Sequence, residues 1–253
     1  MAESWAIAQT GQGLIEPQEA CNASLAGACE TAPPDGKEHV YTFIVNGCDP
    51  FQLGNLKGVA DYMRGLGFSQ THFDSYWNCR DVGRQIRAIR QSDPDAKIVL
   101  MGYSWASLMV RRLANDLDKE GIALDVLVYL GGDYISNTQR SRPTNVGQVV
   151  NIRGHGLMLS GYDLFFNGVN IDNAVNMRLD AGHFALPSQA QTVETLASRL
   201  TNLAQESHVA IAARQLKELP TADLAQNRST EKSPLVVHPT SITRPGSAEV
   251  SKP

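Results

Sequence analysis

The segment from residue 39 to residue 205 alternates short β-branched or apolar runs with amphipathic stretches, and no other feature constrains the fold as strongly. Strands separated by helices form a parallel sheet that is covered by helices on both faces. The sequence therefore predicts an α/β fold with three α/β/α layers and a mostly parallel sheet of about six strands. The predicted strands are 39–45, 71–76, 97–101, 125–130, 148–152 and 174–179.

Apolar residues at helical spacing predict which helix faces point toward the sheet. The run at 97–101 is apolar after its lysine, as expected for a strand that is buried on both faces. Ser188 is a predicted N-cap for the last helix. The predicted inward residues are Leu56, Val59, Ala60, Met63 and Leu66; Val82, Ile86 and Ile89; Leu108, Met109, Leu113 and Leu117; and Val193, Leu196, Leu200 and Leu203.

Composition divides the chain into three parts. Residues 1–38 lack periodicity and contain Gly-Gln-Gly and Pro-Pro, which predicts an irregular N-terminal arm. Residues 218–253 hold five prolines and no aromatic residue, so we expect a disordered C-terminal tail that cannot bury enough apolar area to offset ordering. The folded domain is predicted at 39–217.

Charge and hydropathy exclude some classes of protein. With 26 acidic and 22 basic side chains the formal charge is −4, which does not indicate a nucleic-acid partner. No apolar run reaches the roughly 18 residues that a membrane-spanning helix needs. The first ten residues show no signal peptide, which favours a cytoplasmic location and leaves open an exported mature form. The sequence does not indicate an oligomeric state.

Four cysteines at positions 21, 29, 48 and 79 are too few for a disulfide scaffold and lack the Cys-x-x-Cys pairs of a zinc site. We therefore expect no metal. Cys21 and Cys29 would close a small loop in an oxidising compartment, and Cys48 and Cys79 both follow predicted strands. Their disulfide state stays open.

The segment Gly102-Tyr-Ser-Trp-Ala106 joins a predicted buried strand directly to an amphipathic helix. This is the context of a nucleophile elbow, a turn so tight that its flanking residues must be small. Gly102 and Ala106 meet that requirement. Ser104 is the predicted nucleophile, and the backbone N–H of Trp105 is a predicted donor to an oxyanion.

A serine nucleophile needs a base to accept its proton. His183 follows the last predicted strand and precedes the last helix, so it is expected at the same sheet edge as Ser104. It is the predicted base. His155 follows an earlier strand and is the rival, whereas His39, His72, His208 and His238 share no spacing and are expected to be structural or solvated.

The acid that orients the base has two main candidates. Asp133 follows the fourth predicted strand through Gly131-Gly132, and Asp163 lies in the loop after the fifth. Asp133 is the first choice and Asp163 the alternative. Asp172 is expected at the opposite end of the sheet, and Asp180 is too close to His183 in sequence to face it.

The second oxyanion donor is expected in the loop after the first predicted strand, Asn46-Gly47-Cys48-Asp49-Pro50. Gly47 permits close backbone approach, and the N–H of Cys48 is the predicted donor. A nucleophilic role for the Cys48 thiol is the alternative, but no helix N-terminus stands behind it to lower its pKa.

These segments, together with Ala181-Gly-His-Phe184, resemble the α/β-hydrolase superfamily over about residues 39–205. The resemblance implies a serine hydrolase of the esterase, lipase or thioesterase kind, similar in size to cutinases, that cleaves a small-molecule ester or thioester through an acyl-enzyme without a cofactor. Ala106 stands where the family usually has glycine. The chain lacks room for the first two strands of the fold and for a full cap domain, which implies an open site. Its apolar rim would include Tyr103, Tyr134 and Phe184 as substrate-binding residues.

Two other functions are compatible with the same residues. A non-catalytic descendant of the fold would bind an apolar ligand or a protein partner, and an acyltransferase would use the same triad with an acceptor other than water. The apolar stretch at 157–166 is either a mobile flap or ordinary wall.

Overall fold

A computed structural model of the chain describes residues 32–49, 51–132, 140–154 and 169–218. It contains six strands and five α-helices in these ranges. The strands are β1 (Val40–Asn46), β2 (Thr71–Ser75), β3 (Lys97–Tyr103), β4 (Leu124–Leu130), β5 (Val146–Gly154) and β6 (Val175–Leu179). The helices are α1 (Pro34–Glu38), α2 (Leu56–Gly65), α3 (Cys79–Ser92), α4 (Ala106–Lys119) and α5 (Ala190–Glu218).

The strands form one sheet in the order β2-β1-β3-β4-β5-β6, and every neighbouring pair is parallel. This confirms the predicted α/β class, with a parallel sheet of six strands in the described residues. The chain builds outward from β1 to β2 and then returns to the other side of β1 with β3. The order of the strands therefore reverses between β1 and β3, and a crevice opens at the carboxyl ends of such a strand pair.

Helices cover both faces of the sheet, and each face has its own apolar core. Helices α2 and α5 pack on one face with side chains such as Ile44, Met101 and Val128. Helices α3 and α4 pack on the other face with side chains such as Phe43, Leu100 and Leu127. Because α2 follows β1 and α4 follows β3, the two loops beside the crevice leave toward opposite faces.

The buried face of α4 differs from the prediction. Leu113 and Leu117 are buried as expected, but Leu108 and Met109 are only partly buried, and Ala106, Val110 and Ala114 take the inward positions. The tight turn before α4 sets this phase by placing Ala106 directly against β3. A Cβ atom on Gly102 would lie 2.5 Å from Val110 Cγ2 and 2.6 Å from the carbonyl oxygen of Ala106.

Two element boundaries also differ from the prediction. Strand β2 ends at Ser75, and Tyr76–Asn78 form a single 3₁₀ turn that leads into α3. Helix α5 begins at Ala190, after a 3₁₀ turn at Leu186–Ser188. The Ser188 hydroxyl donates to the carbonyl of Ala185 and does not cap the helix.

Three of the histidines without a predicted catalytic role have structural contacts. His39 Nδ1 lies 2.7 Å from the Asp93 carboxylate, and His208 Nδ1 lies 2.8 Å from that of Asp35. His72 stacks on the ring of Phe43 with centroids 5.1 Å apart. Burial lowers the pKa of His72, which favours its neutral form.

The chain divides into two compact units, Met1–Arg214 and Gln215–Pro253. All six strands lie in the first unit, and residues 215–218 of α5 are the described part of the second. The predicted domain boundaries near residues 38 and 217 stay predictions. Helix α1 lies at the end of the segment that the sequence analysis assigned to the N-terminal arm. None of the helices in the described ranges is long and apolar enough to cross a membrane.

Candidate active site

Ser104 occupies the tight turn between β3 and α4 with a left-handed backbone, φ 55°. Side-chain-bearing residues adopt this conformation rarely, at a cost of about 1–3 kcal/mol, and it is concentrated at functional sites. The neighbouring strand holds the turn in place, because the Ser104 N–H donates to the Leu130 carbonyl at 2.9 Å. Ser107 N–H donates to the Ser104 carbonyl at 3.0 Å and begins the helix.

The loop after β1 lies against the backbone of this turn at Gly47. A Cβ atom on Gly47 would lie 2.4 Å from the Tyr103 carbonyl oxygen and 2.9 Å from the Trp105 nitrogen. Only glycine permits this approach, as the sequence predicts. The next residue, Cys48, is exposed. The backbone of Gly47 therefore lies beside the nitrogen of Trp105.

Asp49 holds the shape of this loop. Its side chain is 4% exposed, and its carboxylate accepts the N–H groups of Leu53 at 2.9 Å and Gly54 at 2.8 Å. The Asn46 side-chain amide donates to the Asp49 carbonyl at 3.1 Å. Asp49 was not singled out from the sequence, although aspartate is common in turns because its carboxylate accepts hydrogen bonds from nearby backbone.

His183 lies in the loop after β6 and is 5% exposed. Its ring faces the end of β4, where a Cβ atom on Gly131 would lie 3.2 Å from His183 Nδ1. Gly131 follows Leu130, whose carbonyl binds the Ser104 N–H. The turn at Ser104 and the ring of His183 therefore both lie beside the carboxyl end of β4.

Tyr103 packs beneath the His183 ring rather than on the rim. It is fully buried, its ring stacks on that of His183 with centroids 4.9 Å apart, and its hydroxyl donates to the His183 carbonyl at 3.1 Å. Burial, with a smaller contribution from the Asp49 charge, raises the pKa of Tyr103 well above its usual range. The phenol therefore stays protonated and can donate. Phe184 is partly exposed and meets the His183 ring edge-on at 5.6 Å.

Of the four aspartates considered as the acid, two lie within the described residues and two lie outside them. Asp133 and Asp163, with Tyr134, His155 and the 157–166 stretch, lie outside the described residues. Asp172 precedes β6, at the opposite end of the sheet as expected, and Asp180 is exposed. The ring nitrogen Nδ1 of His183 faces Gly131, two residues before Asp133 in the chain.

Exposed apolar side chains surround this edge, and the sequence did not single most of them out. Trp105 is 40% exposed, Phe51 82% and Leu53 51%, while Trp77 in the turn after β2 is 78% exposed. All four follow the carboxyl ends of β1, β2 or β3. Whether these side chains are exposed depends on how the loops pack over them. The hydrophobic periodicity of the sequence therefore does not predict their exposure.

Cys48 and Cys79 are free thiols. Burial raises the pKa of Cys79 to about 11, so its thiolate form is suppressed. In the described ranges no three His, Cys, Asp or Glu side chains lie close enough together to hold a metal ion.

No protein-family model matches the chain. Its sequence is 31% identical over 137 residues to the cutinase of Hypocrea jecorina strain QM6a, and equally to that of strain ATCC 56765, covering 47% of this chain and 55% of the cutinase. The chain thus spans about half the length of the curated relatives it matches.

Solved structures with related folds are distant in sequence. An alpha-beta serine hydrolase homologue from Coxiella burnetii is 15% identical with a TM-score of 0.35, and covers 64% of this chain and 84% of its own. A Trichoderma reesei cutinase with a phosphonate inhibitor is 14% identical with a TM-score of 0.28, and covers 75% and 93%.

The close contact between Gly47 and the turn at Ser104 can be tested by substitution. We expect Gly47→Ala to lower kcat for p-nitrophenyl ester hydrolysis by about 10²–10³, because the new methyl would displace the loop that carries the predicted oxyanion donor. Gly65→Ala is the control, since a Cβ atom there meets nothing within 4 Å. Wild-type kcat in a folded Gly47→Ala variant would contradict this account of the loop.

Proposed function

We propose that the chain is a serine hydrolase that cleaves carboxylic ester or thioester bonds, with Ser104 as nucleophile, His183 as base and Asp133 as the orienting acid. The left-handed conformation of Ser104 carries the proposal, because the fold maintains a strained serine at the point where β3 meets α4. The partial similarity to cutinases supports an ester as the bond that is cleaved.

In the proposed reaction, Ser104 Oγ attacks the substrate carbonyl while its proton passes to His183 Nε2. The tetrahedral oxyanion accepts hydrogen bonds from the backbone N–H groups of Trp105 and Cys48. As the intermediate collapses, His183 gives that proton to the departing alcohol or thiol, and the acyl group stays on Ser104. Water, deprotonated by His183, then releases the acid and restores Ser104.

The local geometry supports this division of roles. The loop that carries Cys48 packs against the turn at Gly47, where a Cβ atom would lie 2.9 Å from the Trp105 nitrogen. The Nδ1 side of His183 faces the segment that leads to Asp133, which favours Asp133 over Asp163 as its partner. The exposed side chains of Trp77 and Trp105 favour a substrate with substantial apolar surface.

The first test is hydrolysis of a graded series of p-nitrophenyl esters and acyl thioesters. We expect wild type to hydrolyse members of the series and Ser104→Ala to lose about 10⁴–10⁶ in kcat. Asp133→Asn should lose about 10⁴, and Asp163→Asn should stay within a few fold of wild type. Equal rates for wild type and Ser104→Ala would exclude the proposal, while a loss confined to Asp163→Asn would move the acid to Asp163.

Tyr103 is a positioning residue in this scheme, because it touches His183 through both its ring and its hydroxyl. Tyr103→Phe keeps the stacked ring and should lose less than about tenfold in kcat, as expected for one hydrogen bond of about 1 kcal/mol. Tyr103→Leu removes both contacts and should lower kcat much further, with little change in KM.

Tyr129→Leu is the matched control for the Tyr103 series. Tyr129 is equally buried, but it lies on β4 and packs in the core on the other face of the sheet. Both leucine variants should lose comparable thermal stability, measured by circular dichroism, and only Tyr103→Leu should lose kcat. Equal kcat in the two variants would contradict a positioning role.

A further inference from the structure

A cleft of about 290 Å³ opens beside the candidate site, between the loop after β1 and the 3₁₀ turn after β2. Gly47 and Cys48 form one wall of it. Because the same two residues supply the proposed oxyanion loop, a group bound in the cleft lies next to the reacting carbonyl. The cleft is therefore placed to hold one arm of a substrate.

Aromatic side chains line the opposite wall of the cleft. They come from β2 and the turn that follows it: Phe73, Tyr76 and Trp77. The rings of Tyr76 and Trp77 have centroids 4.2 Å apart and are tilted by 34°. Aromatic rings pair best in offset or edge-on arrangements, and this wall offers both a face and an edge.

Trp77 is the most unusual member of this wall, since 78% of its surface is exposed. An exposed indole keeps a large apolar area in water, and covering it with a ligand ring releases that water. Phe73 and Tyr76 are partly buried, and each packs against the core on one face of the sheet, which fixes their positions in this wall.

The volume of the cleft limits what it can hold. A cavity of about 150 Å³ is known to bind benzene, so this cleft has room for one substituted ring and a short linker. A long alkyl chain would extend past it into solvent.

Resting on the proposed function, we infer that the cleft is an aryl subsite and that the substrates are esters with an aromatic group on one arm. The ring packs against Trp77 and Tyr76 while the ester carbonyl lies at the N–H groups of Trp105 and Cys48. The ring can belong to the acyl arm or to the alcohol arm of the ester, so the test includes both.

The test compares kcat/KM for ring pairs of similar size. Methyl 3-phenylpropanoate and methyl 3-cyclohexylpropanoate test the acyl arm, and 2-phenylethyl acetate and 2-cyclohexylethyl acetate test the alcohol arm. On one of the two arms, we expect kcat/KM of wild type to be about threefold to tenfold higher for the phenyl ester than for the cyclohexyl ester. Trp77→Leu should bring that ratio close to one. Because Trp77 is exposed, we expect the variant to fold like wild type.

Phe51→Leu is the matched control, because Phe51 is equally exposed at the same sheet edge and is not part of the cleft wall. It should keep the wild-type ratio. A ratio of one on both arms in wild type, or a preference that survives Trp77→Leu, would overturn the aryl subsite. A choline ester hydrolysed better than every ring ester would also overturn it and would assign the aromatic wall to a cation.

The outcomes separate the two proposals. Hydrolysis with equal phenyl and cyclohexyl rates removes the aryl subsite and leaves the serine hydrolase intact. Rates that are the same in wild type and Ser104→Ala, or no hydrolysis of any ester or thioester, remove the hydrolase proposal and the subsite with it.

Discussion

The left-handed backbone of Ser104 is the constraint on which the rest of the site depends. The strain of that conformation must be offset by contacts with the surrounding structure. Those contacts can be close because two neighbouring residues are glycines, which have no side chain. Gly102 lets α4 pack directly on β3, and Gly47 lets the loop after β1 reach the turn. The hydrogen bond from Ser104 N–H to the Leu130 carbonyl fixes the turn to the next strand. Strand, helix and loop thus converge on one residue.

The strand order explains why the remaining groups arrive at the same place. The switch between β1 and β3 sends successive loops to opposite faces and leaves a crevice above the carboxyl ends of the strands. Tyr103 connects the parts of the site, because it precedes the proposed nucleophile, stacks on His183 and lies close to the loop that Asp49 organises. A single buried ring therefore couples the proposed base to the proposed oxyanion loop.

The sequence predicted all six strands and the fold class, because buried strands and amphipathic helices each leave a periodic pattern. It misplaced the inward face of α4, since the tight turn at Ser104 and not the apolar spacing sets the phase of that helix. The role of Asp49 and the exposure of Trp77 depend on loops packing against one another, which local patterns do not encode. The choice between Asp133 and Asp163 stays a prediction, because both follow strands that end at the same edge of the sheet.

The most direct test of the central claim is reaction of the intact protein with a fluorophosphonate, followed by intact-mass and peptide-mapping mass spectrometry. The proposed chemistry predicts one adduct per chain, located on Ser104, and much slower labelling of His183→Ala. Wild-type protein that is folded and takes up no label at Ser104 would contradict an activated serine at this turn. The α/β fold with its parallel sheet would then stand without the proposed chemistry.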